Sequence, residues 1–252
     1  MAIWTPTALA TETRRLAGAC WRVVESQRVI PTMKIVDTLA EQARLEELLE
    51  ESKPAVPIEC RHLHYLLFTP FRYGAPYPRG SRLRRAGLTP GAFYASQTVV
   101  TAVTEMAFAR LIFFHNSPET PWPVNPVEHT AFQVRFRTTR GLDLIAEPLN
   151  RDREQWMHPT DYTACQQLAD AARAAGAEVI RYASARDPRG VNVALLTCAA
   201  FGVTAPLDRQ SWRLHLDSRG VRALCEHPER SLEFDRLFFS SDPRIAAMRW
   251  ER

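Results

Sequence analysis

The chain has 252 residues, of which 46% are hydrophobic, and a formal charge of +4. That length and apolar content can bury one sizeable core without a metal or a cross-link. The cysteines form an odd set (Cys20, Cys60, Cys165, Cys198, Cys225) with no C-x-x-C pair, which predicts reduced core thiols and no disulfide framework; the longest apolar run, Val191 to Val203, is well short of the ~20 residues a membrane span needs, and the N-terminus has no basic stretch leading into an apolar one, so the expectation is a cytoplasmic protein with no membrane partner.

In chain order, Leu16, Cys20, Val23 and Val24 fall at helical spacing and predict a helix over residues 8–26. Ile35, Leu39, Leu45 and Leu48 predict a second over 32–51. SKPAVP at 52–57 breaks it, which sets off residues 1–57 as an N-terminal helical extension from a main body over 58–252. His62 to Phe68 is read as extended, and Gly74 to Gly91 as a long loop, a feature more often functional than filler. Ala92 to Ala95 fits a short strand, and Gln97 to Phe114 a well-defined helix. His129 to Thr138 alternates as a strand does, and Leu142 to Ile145 continues it past Gly141. A helix through Cys165, Leu168, Ala169 and Ala172 is expected to be capped by Thr160 and closed by Gly176. Val179 to Ala183 and Val191 to Cys198 are strands around the turn SARDPRG, and strands follow at Gln210 to Leu216 and Leu232 to Phe238. Few of these strands are separated by crossover helices, so the class is α+β.

Chemistry-bearing side chains concentrate between Pro70 and Phe108. Arg72, Tyr73, Arg82 and Tyr94 precede one carboxylate, Glu105, in an otherwise small and apolar helix. Guanidinium forks grip phosphate oxygens in pairs, so several arginines, two rings and one acid suit a phosphorylated, ring-bearing metabolite. Thr101, Ala102, Phe108 and Ala109 share the face of Glu105, and the small ones leave room beside the acid, while Val99, Val103 and Met106 lie elsewhere on the helix and face the core. The plain alternatives are a surface glutamate, a core Tyr94, a surface Arg72 and a turn serine at Ser184. His62 and His64 lack a third ligand of matching spacing, so no metal site is expected. Ser184 has no G-x-S-x-G elbow to mark it as a nucleophile. Lysine occurs only at Lys34 and Lys53, and the single basic cluster, Arg79, Arg82, Arg84 and Arg85, is too short to predict direct nucleic-acid binding.

Arg72-Tyr73, GSR at 80–82, FYAS at 93–96, TAVTE at 101–105, the helix YTACQQLADAARAAG and IRYASARDPRGVN together resemble the RES domain family. The resemblance runs from about Tyr65 to Phe239 and includes NAD-degrading toxins of bacterial toxin–antitoxin pairs. It implies a split β-sheet core flanked by helices, like that of ADP-ribosyltransferases, with residues 1–57 as a helical arm. It also implies that the signature Arg, Glu and Ser are Arg72, Glu105 and Ser184, with Tyr73, Arg82 and Tyr94 in the NAD pocket. Many members have GGRW where this chain has GSRLRR, which leaves Arg84 as an alternative to Arg82.

An oxocarbenium-like ribosyl cation forms as the nicotinamide–ribose bond breaks, and a carboxylate is the group to stabilise it. In this reading Glu105 faces the ribose, Arg72 and Arg82 hold the pyrophosphate, Tyr94 or Tyr73 packs on nicotinamide, and Ser184 orients a polar group. The acceptor is water or inorganic phosphate, the latter held by Arg186, Arg181 or Arg84. No cofactor is expected, NAD being substrate. Two other readings remain: transfer of ADP-ribose to protein, and a non-enzymatic basic interaction module. The resemblance also implies a small DNA-binding antitoxin as partner, and leaves room for a homo-oligomer.

Overall fold

A computed structural model describes residues 4–26, 35–73, 80–87 and 90–252. Its centre is the long strand β3 (Val127–Asp143), which turns Phe132, Val134 and Phe136 into one core and Ala131 into the core on the opposite face. One edge of β3 carries β1 (Arg14–Glu25), antiparallel, with Cys20 opposite Val134. The other edge is divided: β6 (Asp208–Asp217) takes residues 127–133, and β4 (Val179–Ala183) runs parallel to residues 141–143. β5 (Val191–Leu195) pairs with β4, β2 (Phe93–Ser96) pairs with β5, and β2 meets β1 at Trp21 and Ser96. Five strands therefore close on themselves, and β6, β7 (Gly220–Cys225) and β8 (Arg230–Asp235) continue from β3 as an antiparallel meander. This α+β sheet, split along β3, agrees with the expected class.

Helices cover the sheet. α4 (Val99–Asn116) starts at Thr98, whose hydroxyl accepts from the Thr101 amide, and buries Val103, Ala107 and Leu111 against Trp212, Leu214 and Val221. α6 (Thr163–Ala174) buries Leu168, Ala169 and Ala172 on Leu142, Ile180 and Ala194, alongside α1 (Pro6–Thr11) and α5 (Arg153–Trp156). Each Leu, Ile or Val side chain so removed from water contributes roughly 1.5–3 kcal/mol, and the alanines less. α3 (Tyr65–Arg72) lays Leu67 on Phe93, Phe132 and Val193. Near the C-terminus, α7 (Pro243–Ala246) packs on α4. Among the described residues no helix is long and apolar enough to cross a membrane.

The structure corrects four expectations. Residues 14–25 are strand, not helix, so the first 57 residues are no purely helical arm: they supply β1 to the sheet. Trp21, Val23 and Val24 suit a pleated ribbon, and both edges of β1 find partners, which a helix there would leave open. Residues 65–68 belong to α3 instead of a strand, with the His64 ring accepting the Leu66 amide at its N-terminus; so short an apolar run fits either period. Thr160 does not cap α6; Asp161 accepts from the Thr163 amide instead, while Gly176, at φ +71°, does close the helix. Cys60 and Cys198 form a disulfide across 138 residues of sequence. The turn before α3 and the turn after β5 bring the two together, a meeting that spacing along the chain does not show. The remaining cysteines, Cys20, Cys165 and Cys225, are free and buried. Of the second predicted helix, residues 39–51 form α2 (Leu39–Glu51), and residues 32–34 lie outside the described residues, as do 74–79 and 88–89 of the predicted loop.

Candidate active site

A cavity of about 480 Å³ opens between α4, β1, β2 and the turn after β4, within the ~300–1,000 Å³ of ordinary small-molecule sites. Glu105 stands on its wall, with Ala102, Phe108 and Ala109 beside it as the helical spacing predicts; Met106, expected in the core, also faces the cavity. Glu105 Oε1 accepts from Ser184 Oγ at 2.7 Å and from Asn192 Nδ2 at 2.6 Å. Asn192 is itself fixed, because its Oδ1 accepts from Ser96 Oγ at 2.7 Å across the β2–β5 pair. Oε2 has no protein donor among the described residues. One oxygen is thus held and the other is left for a ligand.

The turn SARDPRG is built to present Ser184. Its Oγ accepts the amides of Arg186 and Asp187, both at 3.0 Å, and donates to Glu105. Asp187 is anchored to α4 through the Thr101 hydroxyl at 2.8 Å. Gly190 is required here, since a Cβ would lie 2.5 Å from Thr101 Cγ2. Gly80, at φ +65°, turns the strap carrying Ser81 and Arg82 into the cavity wall.

Four arginines line the cavity: Arg22, Arg82, Arg186 and Arg244. Arg82 donates to the carbonyls of Trp156 (2.6 Å) and His158 (3.1 Å) and lies over the Tyr162 ring at 4.6 Å. Arg22 donates to the Tyr94 carbonyl at 2.8 Å and lies over Phe93. Burial brings its pKa down to about 10, partly offset by Tyr94 and Cys20, so the cation persists at neutral pH but is poorly solvated. Neither Arg22 nor Arg82 has a carboxylate partner among the described residues. Arg186 pairs with Asp242 at 2.9 Å. Tyr94 shows its ring to the cavity while its hydroxyl engages Ser81 Oγ at 2.8 Å and the Leu83 amide at 3.3 Å.

Of the residues singled out in the sequence, Glu105, Ser184, Arg82, Tyr94 and Arg186 therefore converge. Arg72 and Tyr73 do not. Arg72 sits at the end of α3, bonded to Glu50 at 2.6 Å and to the Pro54 carbonyl, and Tyr73 is exposed, its carbonyl accepting from Arg84. Arg181 is paired with Asp143 away from the cavity, and Arg84 is not among its lining residues. Arg22, Tyr162, Asn192 and Arg244 were missed. Asn192 closes the motif RGVN and could have been read from it; Arg22 was hidden by the mistaken helix, and Arg244 has no local signal. His64 bonds Arg209 and the Leu66 amide, and among the described residues no cluster of three or more His, Cys, Asp or Glu is placed to hold a metal.

The split α+β sheet thus carries a cation-rich cavity around one tethered carboxylate, a setting whose charge suits an anionic ligand. The RES domain model matches residues 56–217, and the chain belongs to the RES domain family. In shape it is similar to a chain in the crystal structure of the M. tuberculosis MbcT–MbcA toxin–antitoxin complex, with a TM-score of 0.45 and 15% identity, over 79% of this chain and 91% of that one. No curated protein matches the sequence.

Proposed function

We propose that the cavity binds NAD and cleaves its nicotinamide–ribose bond, passing the ribosyl carbon to inorganic phosphate or water. The observation that carries this reading is Glu105, held through one oxygen by Ser184 and Asn192 and, among the described residues, open at the other, in a cavity where Arg22 and Arg82 have no carboxylate partner among those residues. Two unneutralised guanidiniums match the two negative charges of a pyrophosphate. Fixing the dinucleotide there brings the ribose to Glu105, whose carboxylate favours the cation that develops as the bond lengthens. Nicotinamide leaves with the bonding electron pair, which cancels the charge on its ring nitrogen, so no acid is needed to protonate it. Tyr94 and Tyr162 offer aromatic faces for a flat ring.

RES membership supports the further reading of a toxin held in check by a small DNA-binding antitoxin in the bacterial cytoplasm, and the division of the β3 edge supports a likeness to ADP-ribosyltransferase folds. The chain is incubated with NAD, with and without phosphate, and nicotinamide and the ribosyl product are followed by chromatography. Wild type releases nicotinamide and Glu105→Gln is slower by ~10²–10³-fold. Absence of turnover by folded wild-type protein would overturn the reading, and label retained on protein would replace it with protein ADP-ribosylation.

A further inference from the structure

We propose that Arg186 and Arg244 together form an oxyanion subsite, and that its occupant is the inorganic phosphate that accepts the ribosyl group. The identity of that acceptor rests on the NAD reading; the existence of the subsite does not. Arg244 belongs to α7, beyond residues 56–217 of the family match. Its guanidinium nevertheless lines the cavity beside Arg186.

Three observations carry the proposal. Both guanidiniums lie over one ring, Phe108, at 3.7 Å for Arg186 and 5.6 Å for Arg244. Phe108 follows Glu105 by three residues on α4, which is about one helical turn, so an ion held there is adjacent to the carboxylate.

Second, the two cations share one carboxylate. Asp242, wholly buried, accepts from Arg186 Nη1 at 2.9 Å and from Arg244 Nε and Nη2 at 2.9 and 2.8 Å. Anchoring α7 to the turn after β4 needs one guanidinium per carboxylate. The second leaves one net positive charge in a partly desolvated wall, where an added anion is the natural counterpart.

Third, Arg244 stays partly open. Its side chain is 31% exposed, although Nη2 also donates to the Pro159 carbonyl at 3.3 Å and the Tyr162 side chain bonds the guanidinium. Arg186 Nη2 donates to the Pro159 carbonyl and to the Tyr162 hydroxyl at 3.4 Å, which itself donates to that carbonyl, so Arg186 contributes charge and position and Arg244 the open edge. Arg22 and Arg82 remain for the pyrophosphate, so this pair is left for a separate oxyanion. In the reaction one phosphate oxygen bonds to the ribosyl carbon as the carbon–nitrogen bond breaks. The electron pair goes to the pyridinium nitrogen, and the product is ADP-ribose 1″-phosphate with neutral nicotinamide.

The test uses the whole chain. Without NAD, inorganic phosphate raises the melting temperature of wild type at constant ionic strength, Arg244→Gln loses that response, and Arg244→Lys, which keeps the charge and is the variant to read if Arg244→Gln does not fold, keeps part of it. With NAD, the KM for phosphate of Arg244→Gln rises on the order of tenfold, out of proportion to any change in the KM for NAD. An Arg244→Gln protein that is stabilised by phosphate and saturated by it as wild type is would overturn the subsite. Wild type that releases nicotinamide while Arg244→Gln and Arg244→Lys both match its phosphate response keeps the NAD reading and sinks the subsite. Phosphate stabilisation lost in Arg244→Gln, in a wild type that leaves NAD intact, supports the subsite and sinks the NAD reading.

Discussion

At Glu105 the relevant property is preorganisation. Two neutral donors, Ser184 and Asn192, converge on one oxygen, and Ser96 fixes Asn192 in turn. Removing a donor leaves the carboxylate in place but free to rotate, so Asn192→Ala is expected to lower kcat about tenfold or more with a smaller effect on the KM for NAD; equal loss in both would point to a damaged fold instead. The arginines separate just as sharply. Among the described residues Arg22 reaches the cavity bonded to a carbonyl and stacked on a ring, whereas Arg72 is engaged by Glu50 and Pro54 outside it. Loss of a charge-assisted contact costs ~1.5–3 kcal/mol, so Arg22→Ala should raise the KM for NAD roughly 10- to 100-fold. Arg72→Ala, whose partners lie outside the cavity, should change it less than about threefold. Steady-state kinetics on the two variants side by side decides which arginine serves the substrate.

Elements explain why these residues meet. α4 was legible because its length and its run of small and apolar residues pointed one way, and with it came the placement of Glu105. β1 was not legible: Leu16, Cys20, Val23 and Val24 satisfy a helical period, and the pairing with β3 that overrides it lies more than 100 residues away. The Cys60–Cys198 bridge ties the turn before α3 to the turn after β5. Closing so long a loop stabilises a protein by ~2–5 kcal/mol, so Cys60→Ser should melt several degrees lower than wild type when both are kept free of reductant. Thiol titration of the unfolded, unreduced chain should count three thiols, and five after reduction. Five before reduction would show the bridge absent.

In the whole molecule, Asp242 joins the C-terminal α7 to the turn that carries Ser184. Burial alone would raise its pKa, but the bonds from Arg244 and the charges of Arg244 and Arg186 outweigh that and hold it below the ordinary aspartate range. The folded state therefore binds fewer protons at this site than the unfolded chain. The stabilisation is complete above the unfolded aspartate pKa, ~3.9, and is lost as pH falls through the lowered folded value. Asp242→Asn should cost ~3–5 kcal/mol near neutrality, because it strands the buried Arg186, and should flatten the acid limb of a stability–pH curve. A variant that keeps the wild-type acid limb would show that the linkage lies elsewhere.

The sequence by itself determined the α+β class, the helix that presents Glu105, the strand bearing Tyr94 and the turn bearing Ser184, because each is fixed by patterns within one or two dozen residues. Tertiary structure alone decided that Arg22 from the first strand and Arg244 from the last helix share a cavity with them, that Arg72 does not, and that Cys60 meets Cys198. Those meetings depend on strand pairing and helix docking between distant segments. Such contacts leave no periodicity along the chain for local reading to find.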